Sequence, residues 1–182
     1  MKTAILVVLA IIVVLVGGVL AYAATRPDTF RLQRSASINA PPETIVAYIN
    51  DFRRWRVWSP WENLDPELKR TYSGAESGVG AVYAWEGNRQ TGQGRMEIVE
   101  ASPSKVALKL EFVRPFEANN LVELTLAPAA GATNVTWTMH GPNKFIAKVM
   151  SVFVNIDTMV GKSFETGLAS LKAAAEKGPP AN

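Results

Sequence analysis

The sequence predicts an α+β fold: a curved antiparallel sheet of about seven strands, two short helices after the first strand, and a long C-terminal helix across one face. Three observations predict it. Apolar residues recur with period two in seven short stretches between Phe30 and His140, separated by turn residues. From Phe145 onward the period becomes three and four, the spacing of a helix. A sheet with one apolar face needs a cover, and a helix of that length can supply it.

Ahead of this domain, Ala4 to Ala24 reads AILVVLAIIVVLVGGVLAYAA, 21 residues without a charge. At 1.5 Å per residue this run crosses the roughly 30 Å of bilayer hydrocarbon. Tyr22 stands where an interfacial aromatic belongs. Ala21-Tyr22-Ala23 has the small-x-small form of a signal-peptide cleavage site, which makes export after cleavage the alternative. The apolar run exceeds the usual signal core of about 7–15 residues, and its basic start is only Lys2. The favoured reading is an uncleaved single-pass transmembrane anchor. Lys2 before the span and Arg26, Arg31 and Arg34 after it lean toward a cytoplasmic domain. The short Met-Lys-Thr start argues the opposite, so the side of the soluble domain stays open. Residues 1–29 are read as anchor and linker, 30–177 as the folded domain, and 178–182 as a disordered tail.

Phe30, Leu32, Ala36 and Ile38 alternate with Arg31, Gln33, Ser35 and Ser37, the pattern of a strand with one buried face. Arg34 is the odd member, because it shares the apolar face. Pro42 and Glu43 then suit the first turn of a helix whose stripe is Ile45, Val46 and Ile49. A second short helix over Phe52–Val57 must end at Pro60. Period two returns over Leu68–Ser73, Val79–Glu86, Thr91–Glu100, Lys105–Phe112, Asn120–Ala127 and Thr133–His140. Gly87-Asn88-Arg89, Ser102-Pro103-Ser104 and Pro128–Ala132 supply turns. Phe145, Val149, Phe153, Ile156, Val160, Phe164, Leu168 and Leu171 form the stripe of one long helix of about seven turns.

Composition excludes several chemistries. The chain has no cysteine and one histidine, His140. Disulfides, thiol nucleophiles, cysteine zinc sites and multi-histidine metal sites are therefore out. Net charge is +3 and no basic run reaches five residues, so no nucleic-acid partner is expected. Gly87–Gly94 is glycine-rich but reads as a hairpin turn, not a phosphate cradle, and nothing calls for a cofactor. Asp51, Glu62, Asp65 and Glu67 read as solvated loop carboxylates, not as a metal site. His140 falls opposite Trp137 and Met139 in strand parity, which points it to solvent. No nucleophile and base occur together, so no catalytic residue is assigned.

Certain local stretches are specific. They are Arg34-Ser35-Ala36-Ser37-Ile38-Asn39-Ala40-Pro41, Trp58-Ser59-Pro60-Trp61, Gly78-Val79-Gly80-Ala81, Val135-Thr136-Trp137 and Phe164-Glu165-Thr166-Gly167-Leu168. With the element order, they resemble the START-like, helix-grip (SRPBCC) superfamily of Bet v 1-type allergens and polyketide cyclase/dehydrase-like proteins, in its small bacterial branch. The resemblance covers about residues 30–177. It implies a cavity between sheet and C-terminal helix, and for the anchor, a bacterial inner membrane. The strands would line that cavity with Tyr83, Trp85, Met96, Leu110, Phe112, Trp137 and Met139. The helix would add Phe153, Ile156, Val160 and Phe164. Trp58 is expected mainly in the core at the cavity's end, and Trp61 at its rim. Arg34 and Tyr83 are the polar candidates.

The expected function is binding of a small hydrophobic or amphipathic ligand, a lipid or aromatic metabolite, by a membrane-anchored domain. The alternatives are a cyclase- or dehydratase-like enzyme using Tyr83 or Arg34, and an envelope structural or partner-binding module with a filled core.

Overall fold

The computed structural model describes residues 1–178, except for the side chain of Ile156. Apart from Gly178, the expected tail therefore lies outside the described residues. Helix α1 (Lys2–Ala24) leads into strand β1 (Thr29–Ile38). Helix α2 (Pro42–Ile49) and a 3-10 helix (Phe52–Val57) follow. Strands β2 (Lys69–Gly74), β3 (Ala81–Glu86), β4 (Gln93–Ser102), β5 (Lys105–Arg114), β6 (Ala118–Ala129) and β7 (Ala132–Pro142) form a meander. Helices α3 (Phe145–Phe153) and α4 (Ile156–Ala175) close the chain.

All seven strands join one antiparallel sheet in the order β1-β7-β6-β5-β4-β3-β2. The first strand thus pairs with the last. The segment holding α2 and the 3-10 helix carries the chain from one sheet edge to the other. The Asp51 side chain caps the 3-10 helix by accepting from the backbone N–H of Arg53 at 2.9 Å. β3 starts at Ala81, later than alternation suggests. Gly78 and Gly80 adopt φ of 73° and 86°, a left-handed backbone that strands exclude, and Val79 between them is exposed.

The core lies between the sheet and α4. Ile98, Val106, Leu108, Leu124, Val135 and Trp137 face inward from the strands, and Phe164, Leu168 and Leu171 face them from α4. Burying each such side chain contributes about 1.5–3 kcal/mol. Gly167 lets α4 approach closely: a β-carbon there would lie 2.7 Å from the Trp137 ring and 3.1 Å from Pro60.

One expectation about the C-terminal helix is corrected. The apolar stripe from Phe145 to Leu171 is two helices, and the long one begins at Ile156. Val154 is extended (φ −126°, ψ 125°). The Asn155 side chain then caps α4 by accepting from the Thr158 N–H at 3.0 Å. Asparagine competes with helical backbone and favours caps. The apolar spacing runs through the break, which hides it from a periodicity reading. Of these two helices α4 covers the sheet, while α3 turns aside and packs against α1.

α1 is long and apolar enough to cross a membrane, and near the N-terminus a signal sequence would satisfy the same test.

Candidate functional site

α4 packs chiefly on β1 and β7. It packs little on β3, β4 and β5, and Ser59, Trp61, Glu62 and Leu68, after the 3-10 helix, line the gap. Register shifts in the β4–β5 pair, at Gln93/Gly94 and Ile98/Glu100, mark the bulges that bend strands in this region. The result is a cavity of about 280 Å³.

Of the residues expected to line it, Trp61, Tyr83, Trp85, Met96, Leu110, Phe112, Trp137, Met139, Val160 and Phe164 do. Their aromatic rings form two groups, linked through Trp55 and Phe52. Trp137 stacks on Phe164 with centroids 4.2 Å apart, and Trp61 meets both edge-on at 5.7 and 6.1 Å. Across the cavity, Tyr83 stacks on Trp85, which meets the edge of Phe112 at 5.8 Å. Trp85 has room because Gly94 faces it: a β-carbon there would lie 2.6 Å from the indole.

Among the described residues, two expected ones are not in the wall. Trp58 is 1% exposed and stands behind Trp137, its indole N–H donating to the Tyr48 carbonyl at 3.1 Å. Phe153 belongs to α3 and is 72% exposed, because the break at Val154 and Asn155 takes α3 off the sheet. The Ile156 side chain lies outside the described residues.

The two polar candidates separate. Arg34 does face inward from β1, but it is not among the cavity-lining residues. Its guanidinium reaches α4 and pairs with Glu165 at 2.8 Å and Asp157 at 3.2 Å. It lies over Gly161, where a β-carbon would collide with it. Arg34 is a tie between β1 and α4. Tyr83 does line the cavity, and its hydroxyl donates to Glu62 Oε1 at 2.7 Å. Burial first, and then this hydrogen bond, push its phenol well above the ordinary value.

Glu62 itself overturns an expectation. It is 5% exposed and lines the cavity. Its second oxygen accepts from Arg70 Nε at 2.7 Å, and Arg70 Nη2 also donates to the Glu62 carbonyl at 2.8 Å. Asp65 is buried too. It accepts from the backbone N–H groups of Asn88 at 2.7 Å and Glu67 at 3.0 Å, and from the Thr91 hydroxyl at 3.4 Å. These bonds pin the β3–β4 hairpin, whose Gln90 and Thr91 form part of the cavity wall.

Trp55, Ser59, Leu68, Leu108 and Val122 complete the wall. Leu108 and Val122 were findable, since each shares strand parity with residues named above. Glu62 had no local signal, because its partners lie 8 and 21 residues away. His140 is half-buried outside the cavity, 3.8 Å from Glu123.

A family model described as polyketide cyclase / dehydrase and lipid transport matches residues 29–176. The chain belongs to that family. Among curated proteins, none matches its sequence. Solved structures share its fold at low identity. The di-domain ARO/CYC StfQ from the steffimycin biosynthetic pathway aligns with a TM-score of 0.60 at 8% identity, over 82% of this chain and 51% of that one. The Aha1 dimer from Colwellia psychrerythraea gives 0.58 at 18% identity, over 83% and 99%. Major latex-like protein 151 from Panax ginseng gives 0.57 at 12%, over 81% and 97%. The chain therefore shares with them the helix-grip architecture, an antiparallel sheet with a long C-terminal helix.

Proposed function

We propose that this domain binds a small apolar or amphipathic molecule, a lipid or aromatic metabolite, between sheet and α4. The observation that supports this most is the cavity of about 280 Å³, apolar on nearly all sides, with a buried Tyr83–Glu62 pair in its wall. Its volume sits at the lower edge of the roughly 300–1,000 Å³ typical of ligand sites. Flat aromatic rings and two methionines adapt to an apolar body. The tyrosine and carboxylate offer one point for a polar group. The same cavity speaks against a structural module with a filled core.

Native mass spectrometry and organic extraction of the purified full chain test this reading. An apolar molecule should co-purify, and Leu110→Trp, which fills the cavity, should lose it. Protein that is always empty and has no affinity for apolar fluorescent probes would overturn it.

A cyclase- or dehydratase-like enzyme is the second reading, supported by the family and by Tyr83 at the cavity wall. Its acid–base role would fall to Tyr83 without Arg34, which is tied up on α4. The raised phenol is not a ready proton source, and its single proton is held by Glu62, so Tyr83 would donate to a substrate oxygen only on leaving that carboxylate. No turnover of an aromatic polyketide by the unmutated chain would remove this reading, and turnover that survives Tyr83→Phe unchanged would remove the role of Tyr83 in it.

A further inference from the structure

α3 is inside out for a helix in water. Its single charged residue, Lys148, is 6% exposed, and its ammonium pairs with Asp28 at 2.6 Å. Its large apolar residues point the other way. Ile146, Met150 and Phe153 follow one another at spacings of four and three, so they form one stripe, and all are exposed, as is Phe145. A helix with its cation turned inward and a phenylalanine stripe turned outward suits an apolar medium.

The place of α3 says which medium. It packs against α1, whose last-turn residue Ala23 is completely buried. The Lys148–Asp28 pair ties α3 to the four residues that join α1 to β1. Those residues let β1 begin no more than about 18 Å from the end of α1. The register then places the cavity at the same end of the sheet. Thr29 pairs with Pro142, His140 with Leu121, and Ala118 with Phe112, which pairs with Gly94 opposite Trp85. The wall residues Trp85, Phe112 and Met139 therefore sit toward the end from which α1 leaves. Phe116, on the turn between β5 and β6, and Met159, at the start of α4, are exposed apolar residues there too.

We infer that α3 lies in the membrane interface beside α1, and that the cavity opens toward the bilayer, so that its ligand is a bilayer lipid taken up without crossing water. This rests on the reading of α1 as a retained anchor and deepens the proposed ligand binding. The helix that carries the stripe packs on α1, whose own apolar residues are exposed along its length, which makes the bilayer its occupant in preference to a second copy.

The chain has no cysteine, so single labels are unambiguous. Full-length Met150→Cys and Phe153→Cys, labelled with a polarity-sensitive dye, are reconstituted in phosphatidylcholine vesicles. Ala130→Cys, on the exposed turn at the opposite end of the sheet, is the control. Dye at 150 and 153 should shift to the blue. A phospholipid spin-labelled near its headgroup should quench it several-fold more strongly than at 130. Quenching equal at all three positions would overturn the inference. So would protection at 153 that vanishes when the protein is diluted among vesicles, the mark of a second copy. A further arm follows transfer of a fluorescent phospholipid from the vesicle into the cavity: Ile146→Asp with Phe153→Asp should slow it several-fold, and an unchanged rate overturns uptake from the bilayer. Dye immersed in lipid, with no transfer by the unmutated chain and no apolar molecule in extracts, would instead sink the ligand-binding reading and keep the docking of α3.

Discussion

Tyr83 and Glu62, 21 residues apart in sequence, meet in the cavity wall with the phenol donating to the carboxylate at 2.7 Å. Arg70 holds the other carboxylate oxygen at 2.7 Å. The carboxylate thus sits between one neutral and one charged donor in a site nearly closed to water. Tyr83→Phe removes only the neutral donor and should cost about 1–3 kcal/mol, the usual penalty for leaving a buried polar group short of a partner. Glu62→Leu removes the centre of the trio and leaves the Arg70 charge with backbone carbonyls alone, so it should cost more, about 3–5 kcal/mol. Chemical denaturation of the two single variants and the double variant checks this. The double variant should be less destabilised than the two single costs added together, since both remove the same hydrogen bond.

Trp58 and Trp61 lie three residues apart and do different work. Trp58 is wholly buried behind Trp137 and hydrogen-bonded to Tyr48. Trp61 is 37% exposed and lies edge-on to Trp137 and Phe164 at the cavity. Trp58→Ala should cost about 3–5 kcal/mol of stability. Trp61→Ala should cost much less and weaken binding of an apolar probe several-fold. Thermal melts beside probe titrations separate the two effects, and the reverse pattern would mean that Trp61, not Trp58, supports the fold.

The sheet was legible because alternation is a local property: each strand shows its buried face within ten residues or so. Nine of the cavity-lining side chains followed from that parity and the covering helix, and Trp61 from its place after Pro60. The helix break at Val154 and Asn155 was not legible, because Phe153 and Ile156 keep helical spacing across it. What breaks the helix is a cap made by one asparagine. The burial of Glu62 and Asp65 was hidden for another reason. A carboxylate in a loop looks solvated until partners from distant strands, here Arg70, Tyr83 and the β3–β4 hairpin, are brought to it. Arg34 gave a partial signal. Its place on an apolar face was visibly anomalous, but its acidic partners on α4 lie more than a hundred residues away.

Two glycines of α4 should respond unequally to alanine. At Gly161 the new methyl would meet the Arg34 guanidinium, the mobile end of a long side chain. Arg34 can move aside, and the ion pairs it would loosen end on exposed acids, which makes them worth little. Alanine's better helix propensity offsets that loss by up to about 1 kcal/mol. Gly161→Ala should therefore be close to neutral. At Gly167 the methyl would meet the Trp137 ring and Pro60, neither of which can swing away. Gly167→Ala should cost about 1–3 kcal/mol through overpacking and should perturb probe binding, because Trp137 is in the cavity wall. Melting temperatures of the two variants decide it.

Asp65 should make the cavity rim sensitive to acid. The Asn88 backbone N–H, with help from Glu67, Thr91 and the Arg70 charge, holds its carboxyl below the ordinary aspartate range, against the opposing effect of burial. A carboxyl whose folded value is depressed adds stability that is present above the unfolded value of about 4. That stability is lost as pH falls through the lower folded value. Above that window the β3–β4 hairpin should stay pinned, and within it Asn88, Gln90 and Thr91 should loosen first. Hydrogen exchange at these amides, followed from neutral pH down to about 3 and corrected for intrinsic rates, should show protection falling in the unmutated chain. Asp65→Asn should begin with low protection at neutral pH and change little with acid. Equal protection in the two proteins at neutral pH would mean that the hairpin is held by its strands alone.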